Sequence, residues 1–265
     1  MTTTIAIASG KGGVGKTTIS VNLSLCLALQ NKETLLLDAD LGMANSHILL
    51  GINPKLSLYD FVIGKSSIDD VITTTKEKLK FISGGSAINN LLNLSDLERH
   101  KIIHSFDNIT KAPEYMFIDV GAGAEASSMA FMASSDKVVI ILTGEPTSFI
   151  DAYSLIKAAF LDYKITNFGI VVNMAVSQMQ AKLNFNKFQS ITQKFLDINL
   201  KYLGHICASQ RIRNSIVSRT PLMSKNNKNA DTKYFDDICK ELSSLDSNKT
   251  GTVRFFDNEN VNLKV

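Results

Sequence analysis

The amino-acid sequence predicts one three-layer α/β domain: a mostly parallel sheet of seven or eight strands, covered by helices on both faces. Three observations predict it. Short β-rich runs alternate with helical stretches almost from end to end, the pattern of strands joined by crossover helices. Most of those runs, TLLLD, YMFID, VVIIL and GIVVN, are nearly all apolar, as befits strands buried on both faces. The chain has 265 residues, 45% apolar and 20% charged, enough for a core that needs neither disulfide nor metal.

The elements follow in order. A strand at Thr4–Ala8 runs into a glycine-rich loop and a helix at Thr17–Gln30, where Ile19, Leu23, Cys26 and Leu27 form one stripe at helical spacing. Strands follow at Thr34–Asp38 and Leu79–Ser83, then a helix at Leu97–Ile109. Strands at Tyr115–Asp119 and Val138–Leu142 precede a helix at Ile150–Leu161. A strand at Phe168–Asn173, a helix at Phe188–Phe195, a strand at Tyr202–Cys207 and a helix over Asp231–Leu245 complete the series. No Pro/Gly-rich linker or internal repeat interrupts it, so residues 1–245 read as one domain and 246–265 as a C-terminal tail. In the tail, TVRFFDNENVNLKV alternates on either side of a polar turn, which suggests a hairpin.

Composition narrows the function. A formal charge of +3 is too mild to imply nucleic acid. No apolar run reaches the ~18 residues of a spanning helix, and MTTTIAIASG lacks the layout of a signal peptide. Cys26, Cys207 and Cys239 form no CxxC and read as free thiols of a reducing cytosol.

Gly10-Lys11-Gly12-Gly13-Val14-Gly15-Lys16-Thr17 matches G-x-x-x-x-G-K-[ST] and lies between a strand and a helix, which makes it a phosphate-binding P-loop. Its glycines let the backbone wrap phosphate oxygens, and the following helix presents its positive end. Lys16 is expected to bridge the β- and γ-phosphates, and Thr17 to offer a hydroxyl to Mg²⁺. Lys11 either adds charge beside the phosphates or points towards another molecule. Asp38, Asp40 and Asp119 end two other strands, and a parallel sheet gathers such ends at one edge. Val120-Gly121-Ala122-Gly123 follows as a flexible stretch suited to sensing a γ-phosphate.

With these motifs the sequence resembles the MinD/ParA family of deviant-Walker ATPases. Lys11-Gly-Gly-Val-Gly-Lys16-Thr17-Thr18 and Asp38-Ala-Asp40 carry the resemblance. Asp38-Ala-Asp-Leu-Gly-Met-Ala-Asn45, Gly144-Glu-Pro-Thr-Ser148, Asp151-Ala-Tyr153 and Asn173-Met-Ala175 resemble its FlhG (FleN) flagellar-number branch. The resemblance covers about residues 4–222. It implies ATP and Mg²⁺ as cofactors. ATP would contact residues 10–18 and Asn173, which reads the adenine edge. Lys11 would reach the partner's phosphates across an ATP-bound homodimer. Asp38 and Asp119 would hold Mg²⁺ with Thr17, and Asp40 would position the attacking water.

The resemblance further implies slow, partner-stimulated hydrolysis by a spatial regulator of flagellar number or placement. Its partners would be an SRP-type flagellar GTPase, a transcription activator or flagellar switch proteins. Its location would be the cytoplasm, with peripheral contact at the inner face of the membrane. Alternatives on the same scaffold are a ParA-type DNA partition ATPase, a MinD-type septum-site ATPase and a metal-cluster carrier. The sequence departs from the branch in three ways. It is expected to lack an N-terminal partner-binding segment, and Cys207 stands where Pro is usual beside the adenine. The tail also shows no clean amphipathic face, leaving a weak bilayer contact through Phe255 and Phe256 or a strand pair folded on the domain. His100 and His104 read as surface-helix residues, and Arg211, Arg213 and Arg219 as a solvated or nucleotide-edge cluster.

Overall fold

A computed structural model describes residues 1–40, 44–85, 94–224, 229–248, 250 and 253–257. Leu41, Gly42 and Met43 of the branch motif, and residues 258–265 of the tail, lie outside them. The strands are β1 (Thr3–Ala8), β2 (Thr34–Ala39), β3 (Thr73–Thr74), β4 (Lys80–Ile82), β5 (Tyr115–Val120), β6 (Lys137–Leu142), β7 (Asn167–Ala175) and β8 (Asn199–Cys207). The helices are α1 (Lys16–Leu29), α2 (Ser46–Leu50), α3 (Leu58–Val62), α4 (Asp96–Ser105), α5 (Ala126–Ala133), α6 (Pro146–Tyr163), α7 (Gln178–Thr192), α8 (Gln210–Val217) and α9 (Thr232–Ser243).

The strands form one eight-stranded sheet in the order β3-β4-β2-β5-β1-β6-β7-β8. Every pair is parallel except β3 with β4, at the edge. This is the three-layer architecture expected from the sequence, with β3 added. At two residues, β3 is too short to show a period. The pleat splits each central strand between two cores. Ile5, Ile7, Leu36 and Phe117 face one side with α1 and α9. Ala6, Ala8, Leu35, Leu37, Met116 and Ile118 face the other with α4 to α7. Burial on both faces explains why these strands read as unbroken apolar runs.

Helix α7 starts at Gln178 rather than Phe188, with Ser177 Oγ accepting from the Gln180 N–H at its start. Its buried positions before Phe185 are Ala181 and Asn184, which carry little apolar signal. Helix α8 escaped the sequence reading because Ser215 is its one fully buried residue.

In the tail, Phe255 and Phe256 sit in a turn where the alternation suggested a strand. Phe255 is buried, with its ring edge-on to Phe106 at 5.2 Å. Arg254 pairs with Asp136, whose carboxylate also accepts from the Thr4 N–H and Oγ–H (both 2.8 Å). Asn248 accepts from the Asn167 N–H (2.9 Å) and donates to its carbonyl (2.9 Å). These contacts join Asn248 and Arg254 to the ends of β1 and β6–β7 away from the P-loop. Among the described residues, no helix is long and apolar enough to cross a membrane.

Candidate functional site

The site begins at the carboxyl end of β1. Strand and helix are joined by residues 9–15, which turn sharply because Gly13 and Gly15 take φ of 80° and 88°, a region that L side chains avoid. Two glycines are also required by proximity. A Cβ on Gly10 would lie 2.1 Å from the backbone carbon of Asp151, and one on Gly15 would lie 2.3 Å from Asn173 Nδ2. At Gly12 and Gly13, by contrast, a Cβ would meet nothing within 4 Å. The loop therefore packs on the body along one edge and opens along the other.

The open edge faces a cavity of about 500 Å³, bordered by Lys11, Gly13, Lys16, Thr17, Asp40 and Gly121 among others. Beside it lies a smaller apolar slot of about 130 Å³, walled by Asn173, Ile206, Cys207, Ile212, Arg213 and Phe235 among others. Gly15, Thr18, Met174 and Ile216 border both. A polar chamber next to a flat apolar slot suits a phosphate chain attached to a base. Asn173 is anchored, with its Nδ2 donating to Val14 O (2.7 Å).

Strand register brings the carboxylates together. Asp38 and Asp119 are direct partners on β2 and β5, and both are fully buried. Lys16 Nζ lies 2.9 Å from Asp119 Oδ1, and Ser20 Oγ donates to the same oxygen at 3.1 Å. The Ser46 N–H donates to Asp38 Oδ2 (2.9 Å), and Ser46 Oγ to Asp119 Oδ2 (3.4 Å). Burial, and next the neighbouring Asp119 charge, push the Asp38 carboxyl up to about 7. Two buried carboxylates facing one lysine leave negative charge uncompensated. Their oxygens, with the Thr17 hydroxyl at the cavity wall, make a hard donor set suited to a small divalent cation such as Mg²⁺.

Of the remaining predicted residues, Asp40 borders the cavity, and its N–H donates to Asp38 Oδ1 at 3.4 Å. Lys11 stands at the cavity edge, held by Glu145 Oε2 (2.6 Å) and Thr147 Oγ (3.0 Å) at the start of α6. Sequence reading missed four contact residues: Ser20, Ser46, Glu145 and Thr147. Helical spacing from Lys16 could have signalled Ser20, but nothing local marks Ser46. His100 and His104 stay apart from the site on α4, and His104 Nδ1 faces Asp107 at 3.4 Å. Among the described residues, no group of three or more His, Cys, Asp or Glu side chains is arranged to hold a metal ion, so the two carboxylates would need the Thr17 hydroxyl and non-protein oxygens to complete a cation's shell.

The family model for ParA, described as a NUBPL iron-transfer P-loop NTPase, matches residues 1–243. The chain belongs to this family of P-loop NTPases. Among curated relatives it is 33% identical to the antiactivator FleN of Pseudomonas aeruginosa, over 95% of this chain and 91% of that protein. It is 29% identical to the flagellum site-determining protein YlxH of Helicobacter pylori, over 81% of this chain and 73% of the relative. The septum site-determining protein MinD of Pyrococcus horikoshii, solved with Mg-ADP, shares the fold at a TM-score of 0.73 and 23% identity, covering 91% of this chain and 96% of that one.

For a ParA-family NTPase the geometry has a direct chemical reading. The loop and Lys16 border one chamber, and backbone N–H groups and an ammonium there would stabilise the negative charge that a γ-phosphate gathers during transfer. Thr17, Asp38 and Asp119 are the residues that would hold a divalent cation, which would supply charge to neutralise a phosphate chain. Lys16 pairs with Asp119 at 2.9 Å on the cavity wall, so a bound phosphate would compete with that carboxylate for its ammonium.

Proposed function

We propose that this ParA-family NTPase hydrolyses ATP with Mg²⁺ and works as a dimerisation switch controlling flagellar number or placement. One observation carries the switch: Lys11 borders the phosphate cavity, yet its ammonium is held at the cavity's edge by Glu145 and Thr147, neither of which borders it. From the rim its ammonium can serve a phosphate on a second copy. Its present partner, Glu145, is largely exposed, and an exposed pair contributes under about 1 kcal/mol. Exchanging Glu145 for a partner's triphosphate therefore costs little. A residue that bridges two copies only when ATP is present couples nucleotide state to self-association.

In this reading residues 10–18 hold the phosphates and Asn173 the adenine edge. Thr17, Asp38 and Asp119 hold Mg²⁺. Asp40, on the cavity wall between Asp38 and the loop, orients the attacking water. Hydrolysis is slow and partner-stimulated. The flagellar assignment is supported by the similarity to FleN and YlxH. It brings an SRP-type flagellar GTPase as a partner. A transcription activator suits the relative FleN, an antiactivator, and flagellar switch proteins complete the set. The protein would act in the cytoplasm, with any membrane contact peripheral.

The family description also names iron transfer. The thiols here favour the switch: Cys26 and Cys239 are buried against each other inside one subunit, and Cys207 borders the apolar slot. A colourless, iron-free preparation from iron-replete cells is expected. Size-exclusion chromatography with light scattering tests the switch. Asp40→Ala should accumulate an ATP dimer and Lys16→Ala should remain monomeric. If Asp40→Ala stays monomeric in saturating Mg-ATP, the bridging model is wrong.

A further inference from the structure

We propose that Ser46 is a positioning residue for the divalent cation, fixing the two carboxylates that hold it from a place outside every recognised motif. The inference rests on the nucleotide reading of the site and adds a residue to it.

The observation is a bridge. Ser46 is fully buried at the first position of α2, behind the two carboxylates. Its N–H donates to Asp38 Oδ2, and its Oγ to Asp119 Oδ2. One residue thus touches one oxygen of each acid. The opposite oxygen of Asp119 is taken by Lys16 and Ser20. Lys16 must turn to a phosphate when nucleotide binds, and this loosens one side of Asp119. Ser46 has no such second duty. Its hydroxyl and N–H remain as the fixed side of both acids while the other side changes partners.

Physical chemistry gives the bridge its role. Buried carboxylates that face each other across paired strands repel, so each tends to rotate away from its neighbour. A donor shared between them holds both carboxylates in one orientation, which a hard cation needs. Groups that orient a metal's ligands typically contribute 10–100-fold to its affinity. Here the hydroxyl acts on the metal ligands and not on the nucleotide, so cation and nucleotide affinities should separate. A merely structural role would weaken both.

The test uses Ser46→Ala, which removes the hydroxyl but keeps the N–H bond to Asp38. Mn²⁺ replaces Mg²⁺ as the probe, its binding to the protein–ADP complex followed by electron paramagnetic resonance. The Mn²⁺ concentration for half-saturation should rise about 10-fold. Affinity for a fluorescent ADP analogue in EDTA should match wild type, as should the melting midpoint in EDTA. Unchanged Mn²⁺ affinity, or an equal loss of nucleotide affinity in EDTA, overturns the proposal. If the alanine variant does not fold, Ser46→Cys keeps the volume with a weaker donor. It should lose Mn²⁺ affinity in the same direction, and wild-type Mn²⁺ affinity there is equally fatal. Wild-type protein that binds neither ADP nor Mn²⁺ would sink the nucleotide reading itself, an outcome distinct from the other two.

Discussion

Replacing Asp38 by Asn should make the metal-free protein more stable at alkaline pH while abolishing its response to Mg²⁺. The Asp38 carboxyl stands at about 7, against an ordinary 3.8. Its folded form therefore keeps a proton that the unfolded chain releases above about pH 4. Between those values the unfolded state binds fewer protons, so stability falls as pH rises and levels off above about 7. The difference is roughly three pH units, or of order 4 kcal/mol at 1.36 kcal/mol per unit. Asn has no proton to release, and its carbonyl can still accept from the Ser46 N–H. Urea denaturation in EDTA at pH 4.5 and 8.5, on both proteins, removes the titrations they share and leaves that of Asp38 together with its effect on Asp119. The wild-type-minus-variant stability should become less favourable by several kcal/mol on going to pH 8.5. Added Mg²⁺ with ADP should restore wild type and not Asp38→Asn. Parallel pH profiles for the two proteins would refute the claim that burial beside Asp119 governs this carboxyl.

Other substitutions test the loop, the rim and the tail. Gly15→Ala would hold an L residue in the left-handed region, at a cost of about 1 kcal/mol. It would also drive Asn173 from Val14, so nucleotide affinity by fluorescence titration should drop 10-fold or more while the circular dichroism spectrum is kept. Glu145→Gln releases Lys11 from a solvent-exposed pair, and light scattering should show ATP-dependent dimerisation strengthened by less than about 5-fold, the equivalent of ~1 kcal/mol. Phe255→Ala opens a hole against Phe106 and Phe131. Denaturation should record a loss of about 3–5 kcal/mol, with nucleotide affinity unchanged because the plug lies at the far end of the sheet.

Legibility followed the range of the interactions. The P-loop could be read because its glycines, Lys16 and Thr17 are contiguous, and a strand before it and a helix after it are local features too. Central strands could be read because burial on both faces leaves no polar position. The first turns of α7 and all of α8 blurred because Ala181, Asn184 and Ser215 stand at buried positions there in place of large apolar residues. The tail misled for a related reason. Alternation in Val253–Phe256 suggested a strand, yet Arg254 and Phe255 are both engaged with the body, by the Asp136 carboxylate and the Phe106 ring.

By itself, the sequence determined the layer order, the phosphate loop and the identity of the acids at the strand ends, since each depends on residues close together in the chain. Only the tertiary structure decided what those acids meet. Asp38 lies opposite Asp119 because β2 pairs with β5 in one register; Ser46 bridges them because α2 begins beneath both. Such encounters join segments tens of residues apart, and their energy resides in burial and in the angle of a hydrogen bond, neither of which a linear pattern records.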